Sequence, residues 1–255
     1  MLRIVADLGN SRLKWGRIGD DGRLEETVAL PLDDTSALDA AWRRWNPAGS
    51  KASAWAIATV NPPLAERLLA FLREQGIGVA SWYRSAAEVP IRHALEHSET
   101  TGADRALAVA GARALQPPGI PGLVVSCGTA ITVERIAADG TWQGGAIAPG
   151  LTVSARALHL QTAQLPLVCP SGDPAPPAWG RSTGPALEAG VFWGTVGTIR
   201  ELLARQAAGL EPPPWLVWTG GDAEALAPWI DWSDGAARVV PDLVLEGLAR
   251  IAWRA

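Results

Sequence analysis

Leu2-Arg3-Ile4-Val5-Ala6-Asp7-Leu8-Gly9-Asn10-Ser11 and Leu123-Val124-Val125-Ser126-Cys127-Gly128-Thr129-Ala130 decide the reading of this chain. Each is a short apolar run that stops at a glycine turn carrying hydroxyl or amide side chains. A second apolar stretch follows each turn, Arg12 to Ile18 in the first case and Ile131-Thr132-Val133 with Arg135-Ile136 in the second. An Asp-Gly turn closes both, at Asp21-Gly22 and at Asp139-Gly140. Strand, tight turn, strand and Asp-Gly is a hairpin signature. Gly9 aligns with Gly128, and Arg17-Ile18-Gly19-Asp20-Asp21-Gly22 aligns with Arg135-Ile136-Ala137-Ala138-Asp139-Gly140 after a slip of a single residue. The pair indicates an internal duplication, with chance similarity of two hairpins as the alternative.

Outward from these hairpins the pattern is α/β. Ser36 to Trp45 reads as a helix, with Leu38, Ala41, Trp42 and Trp45 on one stripe. Ala54 to Ala58 reads as a strand, Pro62 and Pro63 open a helix through Leu72, and Val79 to Tyr83 reads as a strand. Gly102 to Leu115 is helical in pattern, ended by Pro117, Pro118 and Pro121. Beyond the second hairpin, Thr152 to Leu160 is a short helix, Pro166 to Gly184 a loop, and Pro185 to Ala208 the longest helix. Leu216-Val217-Trp218 is a strand running into Thr219-Gly220-Gly221-Asp222, and a helix covers Ala223 to Leu226. Val239-Val240 then leads to a last helix through Ile251. Two lobes are expected, 1–117 and 122–255.

A length of 255 residues suits one large domain or two lobes sharing a cleft, and is ample for a core without disulfides or metals. With 22 Lys plus Arg against 26 Asp plus Glu, the formal charge of -4 provides no basic field for nucleic acid. A hydrophobic fraction of 48% excludes disorder throughout. Two cysteines, Cys127 and Cys169, are too few for a disulfide framework or a structural zinc site. Asp7 interrupts the opening apolar run before a signal-peptide core could form, and no apolar run is long enough to span a membrane. A cytoplasmic protein with neither membrane nor nucleic acid as partner is expected. The 13 Trp do not interleave with basic residues as a base-stacking strip would, so they read as core and surface filler.

Glycine turns after strands expose backbone N–H groups that cradle phosphate oxygens, and nearby Ser and Thr hydroxyls add donors. Asp7 in such a turn suits a Mg²⁺ ion held against phosphate, although a lone Asp there reads equally as an Asx-turn carboxylate. No Gly-x-x-x-x-Gly-Lys-Ser/Thr occurs, so a nucleotide site here is of another design. His93 and His97 lack a third ligand at plausible spacing and read as solvated loop histidines. By local pattern Asp104 is a helix N-cap and Arg105 a solvated helix charge. Cys127 reads as a small buried hydrophobe.

Several segments, in order and over nearly the whole chain, resemble those of the type III pantothenate kinases. That family belongs to the acetate and sugar kinase/Hsp70/actin superfamily. The motifs are Asp7-Leu8-Gly9-Asn10-Ser11, Gly102-Ala103-Asp104-Arg105 and Gly128-Thr129-Ala130-Ile131-Thr132. Gly144-Gly145-Ala146-Ile147 with Pro149-Gly150, Thr162-Ala163-Gln164-Leu165-Pro166, Thr183 and Thr219-Gly220-Gly221-Asp222 complete the set. The resemblance implies a duplicated ribonuclease H-like, actin-like ATPase fold with two lobes around a nucleotide cleft. It implies ATP-dependent phosphorylation of D-pantothenate to 4′-phosphopantothenate, the first step of coenzyme A biosynthesis. On that resemblance Asp104 is the general base, Arg105 pairs with the pantothenate carboxylate, and Gly102, Leu95 and Thr183 line the acceptor site. Asp7 organises Mg²⁺. Gly9, Asn10, Ser11 and Lys14 serve the ATP site with Gly128, Thr129 and Thr132, while Gly220 and Gly221 let the backbone pass close to adenosine. A homodimer is implied as well.

Two positions depart from the family pattern. Ser126 stands where most members carry an Asp that helps hold a monovalent cation, K⁺ or NH₄⁺, so weaker cation activation is expected. Leu95 stands where a pocket Tyr is common, which would raise KM for pantothenate more than it lowers kcat. The alternatives are a catalytically weak paralogue with an accessory or regulatory role, or another enzyme of the superfamily such as a polyphosphate-linked phosphatase or sugar kinase.

Overall fold

Ile4, Ala6 and Leu8 alternate with Val5 and Asp7 along strand β1 (Leu2–Leu8), and the first three join one core face. In this computed structural model β1 pairs antiparallel with β2 (Leu13–Ile18), and β2 with β3 (Leu24–Leu30). The structure describes every residue except 32–33, 48, 50–51, 79, 173, 233–234 and 254–255, and the backbone alone at position 35. Helix α1 (Thr35–Trp45) begins where the Asp34 carboxylate accepts the N–H groups of Ser36 and Ala37, at 2.9 and 3.2 Å. Strand β4 (Ser53–Thr59) then runs parallel to β1 and is buried along its whole length, as a strand covered on both faces must be. Asn61 caps α2 (Pro62–Glu74), accepting from the Leu64 N–H at 3.2 Å, and Pro62 takes a first-turn position where no N–H is needed. Strand β5 (Ala80–Tyr83) lies parallel to β4; Val79, read as its first residue, lies outside the described residues. The sheet order is β3-β2-β1-β4-β5.

One face of this sheet holds Trp15 and Trp55 against Trp42 and Trp45 of α1 and Leu64, Leu68 and Phe71 of α2. Trp15 and Trp55 meet edge to face at 5.0 Å, so these tryptophans are core filler, as their irregular spacing suggests. A short 3-10 turn at Ala86–Glu88 precedes helix α3 (Ala103–Arg113).

The same topology then repeats. Strands β6 (Gly122–Cys127), β7 (Ala130–Ile136) and β8 (Trp142–Pro149) form an antiparallel meander. Helices α4 (Leu151–Gln161) and α5 (Thr183–Ala207) follow, then β9 (Trp215–Thr219) parallel to β6, α6 (Ala223–Leu226) and β10 (Ala237–Val239) parallel to β9. The order β10-β9-β6-β7-β8 is that of the first sheet, strand for strand. Both Asp-Gly turns use glycine at positive φ, 78° at Gly22 and 81° at Gly140. Their N–H groups return to the carbonyls of Gly19 and Ala137, at 3.0 and 2.9 Å. The single-residue slip lies in the glycine turns themselves, since Gly9 N–H bonds to the carbonyl of Arg12 but Gly128 N–H to that of Ala130, each at 3.1 Å. The duplication is therefore one of structure as well as of sequence. It makes Ser126 the counterpart of Asp7, and Thr132, its ladder partner, the counterpart of Lys14.

Three details differ from the sequence reading. Strand β8 is unannounced because Gly144 and Gly145 break the alternation. Gly145 is required there, as a Cβ would stand 2.1 Å from the Val133 carbonyl oxygen. Helix α5 begins at Thr183 rather than Pro185. The last helix, α7 (Leu243–Ala252), does not belong with the second sheet. The units are Met1–Ile91 with Leu95–Leu115 and Asp242–Ala255, and Arg92–Ala94 with Gln116–Pro241. Paired glycines explain the return: a Cβ on Gly111 would meet the Leu243 carbonyl at 2.5 Å, and one on Gly247 the Leu107 carbonyl at 2.0 Å. α3 and α7 thus pack backbone to backbone, which a division at 1–117 and 122–255 cannot express.

Candidate active site

The two-residue period of β1 turns Asp7 to the face of Val5, away from Ile4, Ala6 and Leu8. On that face Val5 approaches Leu245 of α7 across Gly16. Lys14 stands directly opposite Asp7 in the β1–β2 ladder, so the two side chains share the face. Asp104 approaches from α3. Burial, first, and the charge of Asp104, second, push the Asp7 carboxyl up to about 7, while Lys14 opposes the shift. The Lys14 ammonium also pairs with Asp242, Nζ to Oδ1 at 3.0 Å.

Asp104 is not the cap its local pattern suggests. The N-cap of α3 is Gly102, and Asp104 lies in the first turn, its Oδ1 accepting the Arg105 N–H at 2.8 Å. That oxygen lies 2.5 Å from the point a Gly102 Cβ would occupy, with Val60 Cγ1 at 3.2 Å on another side. Gly102 therefore vacates the volume into which the carboxylate folds. Its φ of -57° suits any residue, so Gly102→Ala is expected to fold with an almost unchanged Tm. The side-chain tip of Asp104 is what must give, and with Asp104 as the expected base kcat should fall about 10²-fold, the usual cost of misplacing a reacting group by about 1 Å. Steady-state kinetics with a thermal melt check this; full activity would mean that Asp104 is not held by this glycine.

In the second unit β6 ends at Cys127, a fully buried residue whose thiol is pushed up by burial and by nearby Asp222. It is a buried core residue, as expected. Gly220 has φ +94°, and a Cβ on it would stand 2.2 Å from the Cys127 carbonyl oxygen, so only glycine fits. The Asp222 N–H donates to that same carbonyl at 3.0 Å, which stitches the Gly220-Gly221 turn to the turn after β6. Gly150 closes on its other side, its N–H on the Thr129 carbonyl at 3.1 Å. Above Gly128 the space is open: among the described residues, its chain neighbours aside, no atom lies nearer than 4.0 Å to a Cβ position. The buried Thr132 hydroxyl has no hydrogen-bond partner among the described residues. Open backbone at two joined glycine turns fits phosphate oxygens.

Other expected site residues fall as follows. Asn10 and Ser11 are exposed in the first turn, and Asn61 Nδ2 donates to the Gly9 carbonyl at 3.4 Å. Arg105 and Leu95 are half-buried, and Thr183 is exposed at the start of α5. Ser126 is half-buried and offers a hydroxyl where Asp7 offers a carboxylate. His93 and His97 lie outside any helix, His93 in a bridge with Trp142, and His97 faces Glu99 at 3.3 Å. No group of three His, Cys, Asp or Glu that could hold a metal occurs among the described residues. Asn61 and Asp242 were missed from sequence, and the latter carries no local signal, lying 228 residues from the lysine it pairs with.

Comparison with known proteins gives the family. A family model for type III pantothenate kinase matches residues 3–205. The type III pantothenate kinase of Porphyromonas gingivalis is 43% identical over 166 residues, 64% of this chain and 66% of that protein. The one from Alkalilimnicola ehrlichii is 34% identical over 255 residues, 98% of this chain and 97% of its own length. A solved structure of a Baf family transcriptional activator from Campylobacter jejuni superposes with a TM-score of 0.59 at 21% identity, covering 97% of this chain and 96% of its own. The duplicated α/β fold is that of the actin, Hsp70 and sugar-kinase group, which solved kinase structures share. On the family match and on relatives aligned end to end, this chain belongs to the type III pantothenate kinases, ATP-dependent enzymes of coenzyme A biosynthesis.

Proposed function

We propose that Asp104 is the general base in phosphorylation of D-pantothenate by ATP, giving 4′-phosphopantothenate. The observation that carries this is the placement of Asp104 in the Gly102 vacancy, close enough to Asp7 to raise its carboxyl. A primary hydroxyl is a poor nucleophile, so a carboxylate that takes its proton as it attacks lowers the barrier. The hydroxyl oxygen bonds to the γ-phosphorus, the bond from phosphorus to the β,γ-bridging oxygen breaks, and ADP leaves with that electron pair. Asp104 holds the proton and later gives it to solvent. Mg²⁺, when bound, neutralises charge on the transferring phosphoryl group, and Asp7 is the residue that would hold it. Lys14 adds positive charge on the same face, and the turns at Gly128-Thr129 and Gly220-Gly221, with the Thr132 hydroxyl, serve the nucleotide. Arg105 offers a planar fork to the pantothenate carboxylate. The intact Asp7, Lys14 and Asp104 favour a working kinase over an accessory paralogue. ADP release from Mg-ATP that requires D-pantothenate tests the reading; folded protein that releases none would refute it.

The monovalent cation is the point where this chain stands apart. Ser126 removes one negative charge from the position equivalent to Asp7 in the duplicated hairpin. Turnover is therefore expected to differ little between Na⁺, K⁺ and NH₄⁺ salts, and Ser126→Asp to introduce activation by K⁺. Saturation of the unmodified protein at low millimolar K⁺ would contradict this. Leu95 lacks the hydroxyl of a pocket Tyr, and a raised KM for pantothenate is the expected consequence.

A homodimer follows from the family. Helix α4 buries only Leu151 and Ala155 and leaves Leu158 and Leu160 exposed, with Ile147 exposed on edge strand β8, surface that a second copy would cover. Exposed Thr183 fits an acceptor pocket near such an interface. No described helix is long and apolar enough to cross a membrane, and a cytoplasmic location accords with the reaction.

A further inference from the structure

We infer that Asp242 is a positioning residue for Lys14, holding the ammonium group off Asp7 and in place for the nucleotide's phosphates. The inference rests on the reading of Lys14 as an ATP-site residue. Lys14 stands opposite Asp7 in the β1–β2 ladder, so one ammonium lies within reach of two carboxylates. Asp242 takes it in a direct pair, Nζ to Oδ1 at 3.0 Å, while its Oδ2 accepts from Thr27 Oγ1 at 3.1 Å. Two donors from two strands thus fix the carboxylate on both oxygens. Asp242 also occupies the N-cap position of α7, where an aspartate ordinarily accepts a backbone N–H, yet its side chain makes no capping bond. The carboxylate is turned to the lysine instead.

A lysine drawn onto Asp7 would compete for the carboxylate oxygens that a metal requires. With Asp242 as counter-ion, the ammonium is held beside Asp7 and not on it, and the lysine keeps a fixed position for phosphate. Both side chains are about a quarter exposed, 26% for Lys14 and 24% for Asp242, and an ion pair so placed contributes little to stability. Its effect belongs in nucleotide binding.

The test is a double-mutant cycle on the full-length protein with Lys14→Met, Asp242→Asn and the pair. Asp242→Asn is expected to raise KM for Mg-ATP about three- to tenfold, with KM for pantothenate and Tm nearly unchanged. In the Lys14→Met background it should add nothing. Thr27→Val, which loses only the second hydrogen bond, should shift KM for Mg-ATP the same way by a smaller factor, and it guards against misfolding of the Asn variant. An Asp242→Asn effect of equal size with and without Lys14, or no change in KM for Mg-ATP, overturns the proposal. If Lys14→Met itself leaves that KM unchanged, the reading of Lys14 fails and the proposal falls with it. If Lys14→Met raises it and Asp242→Asn does not, only the positioning role is lost.

Discussion

Asp104→Asn is expected to lower kcat by about 10²–10⁴-fold, the range that a positioned general base supplies. KM for Mg-ATP should hardly move. Asparagine matches the shape of aspartate, fills the same volume beside Gly102 and can still accept the Arg105 N–H that Asp104 accepts at 2.8 Å. What it cannot do is take a proton. A helical role alone predicts something different in size and kind. An acidic side chain in a first helical turn contributes about 0.3–1 kcal/mol to stability, whereas a 10³-fold loss of rate is about 4 kcal/mol of barrier. Steady-state kinetics with a thermal melt separate the two. A kcat within tenfold of the parent, with a lowered Tm, would return Asp104 to a structural part.

The second large effect is at Asp7, whose carboxyl is pushed from an ordinary 3.8 up to about 7 by burial and by Asp104. Below pH 7 the metal-free protein therefore keeps a proton there, and Mg²⁺ has to displace it. Apparent Mg²⁺ affinity should rise by about tenfold per pH unit up to pH 7 and level off above it. The sign for stability follows from the same shift. Below pH 3.8 the carboxyl is protonated folded and unfolded alike, and Asp7 contributes nothing to pH dependence. Between 3.8 and about 7 the unfolded chain ionises while the folded one does not, so metal-free stability falls as pH rises through this window. Asp7→Asn removes that loss. It is expected to abolish measurable turnover and to raise the Tm of the chelator-treated protein at pH 8, the pattern of a residue kept for function at a cost in stability. Melts of both proteins in chelator at pH 5 and pH 8 check this; a lower Tm for the variant at pH 8 would mean that Asp7 is a stabilising group.

Much of this was legible in the sequence because it is local. The glycine turns, the Asp-Gly turns and the strands that flank them are written in consecutive residues, so the duplicated hairpins could be read directly. The position of Asp7 at a strand's end was equally readable. Its face was readable too, since strand side chains alternate. The role proposed for Asp104 was legible only through the Gly102-Ala103-Asp104-Arg105 resemblance, because by local pattern any Asp beside a helical run resembles a cap; the fold puts Gly102 in the cap position and Asp7 within electrostatic reach. The return of α7 to the first sheet depends on Gly111 and Gly247 meeting backbone at a distance in sequence that no periodicity reports. Asp242 enters the site by that same return. Strand β8 was hidden by the glycines its packing demands.

Formation of 4′-phosphopantothenate from D-pantothenate and Mg-ATP, followed by mass for the parent protein and Asp104→Asn side by side, tests the central claim most directly. The parent should give product in step with ADP, and the variant should bind Mg-ATP normally yet form product about 10³-fold more slowly. Equal rates for the two, or ADP released by the parent without phosphorylated pantothenate, would contradict the account.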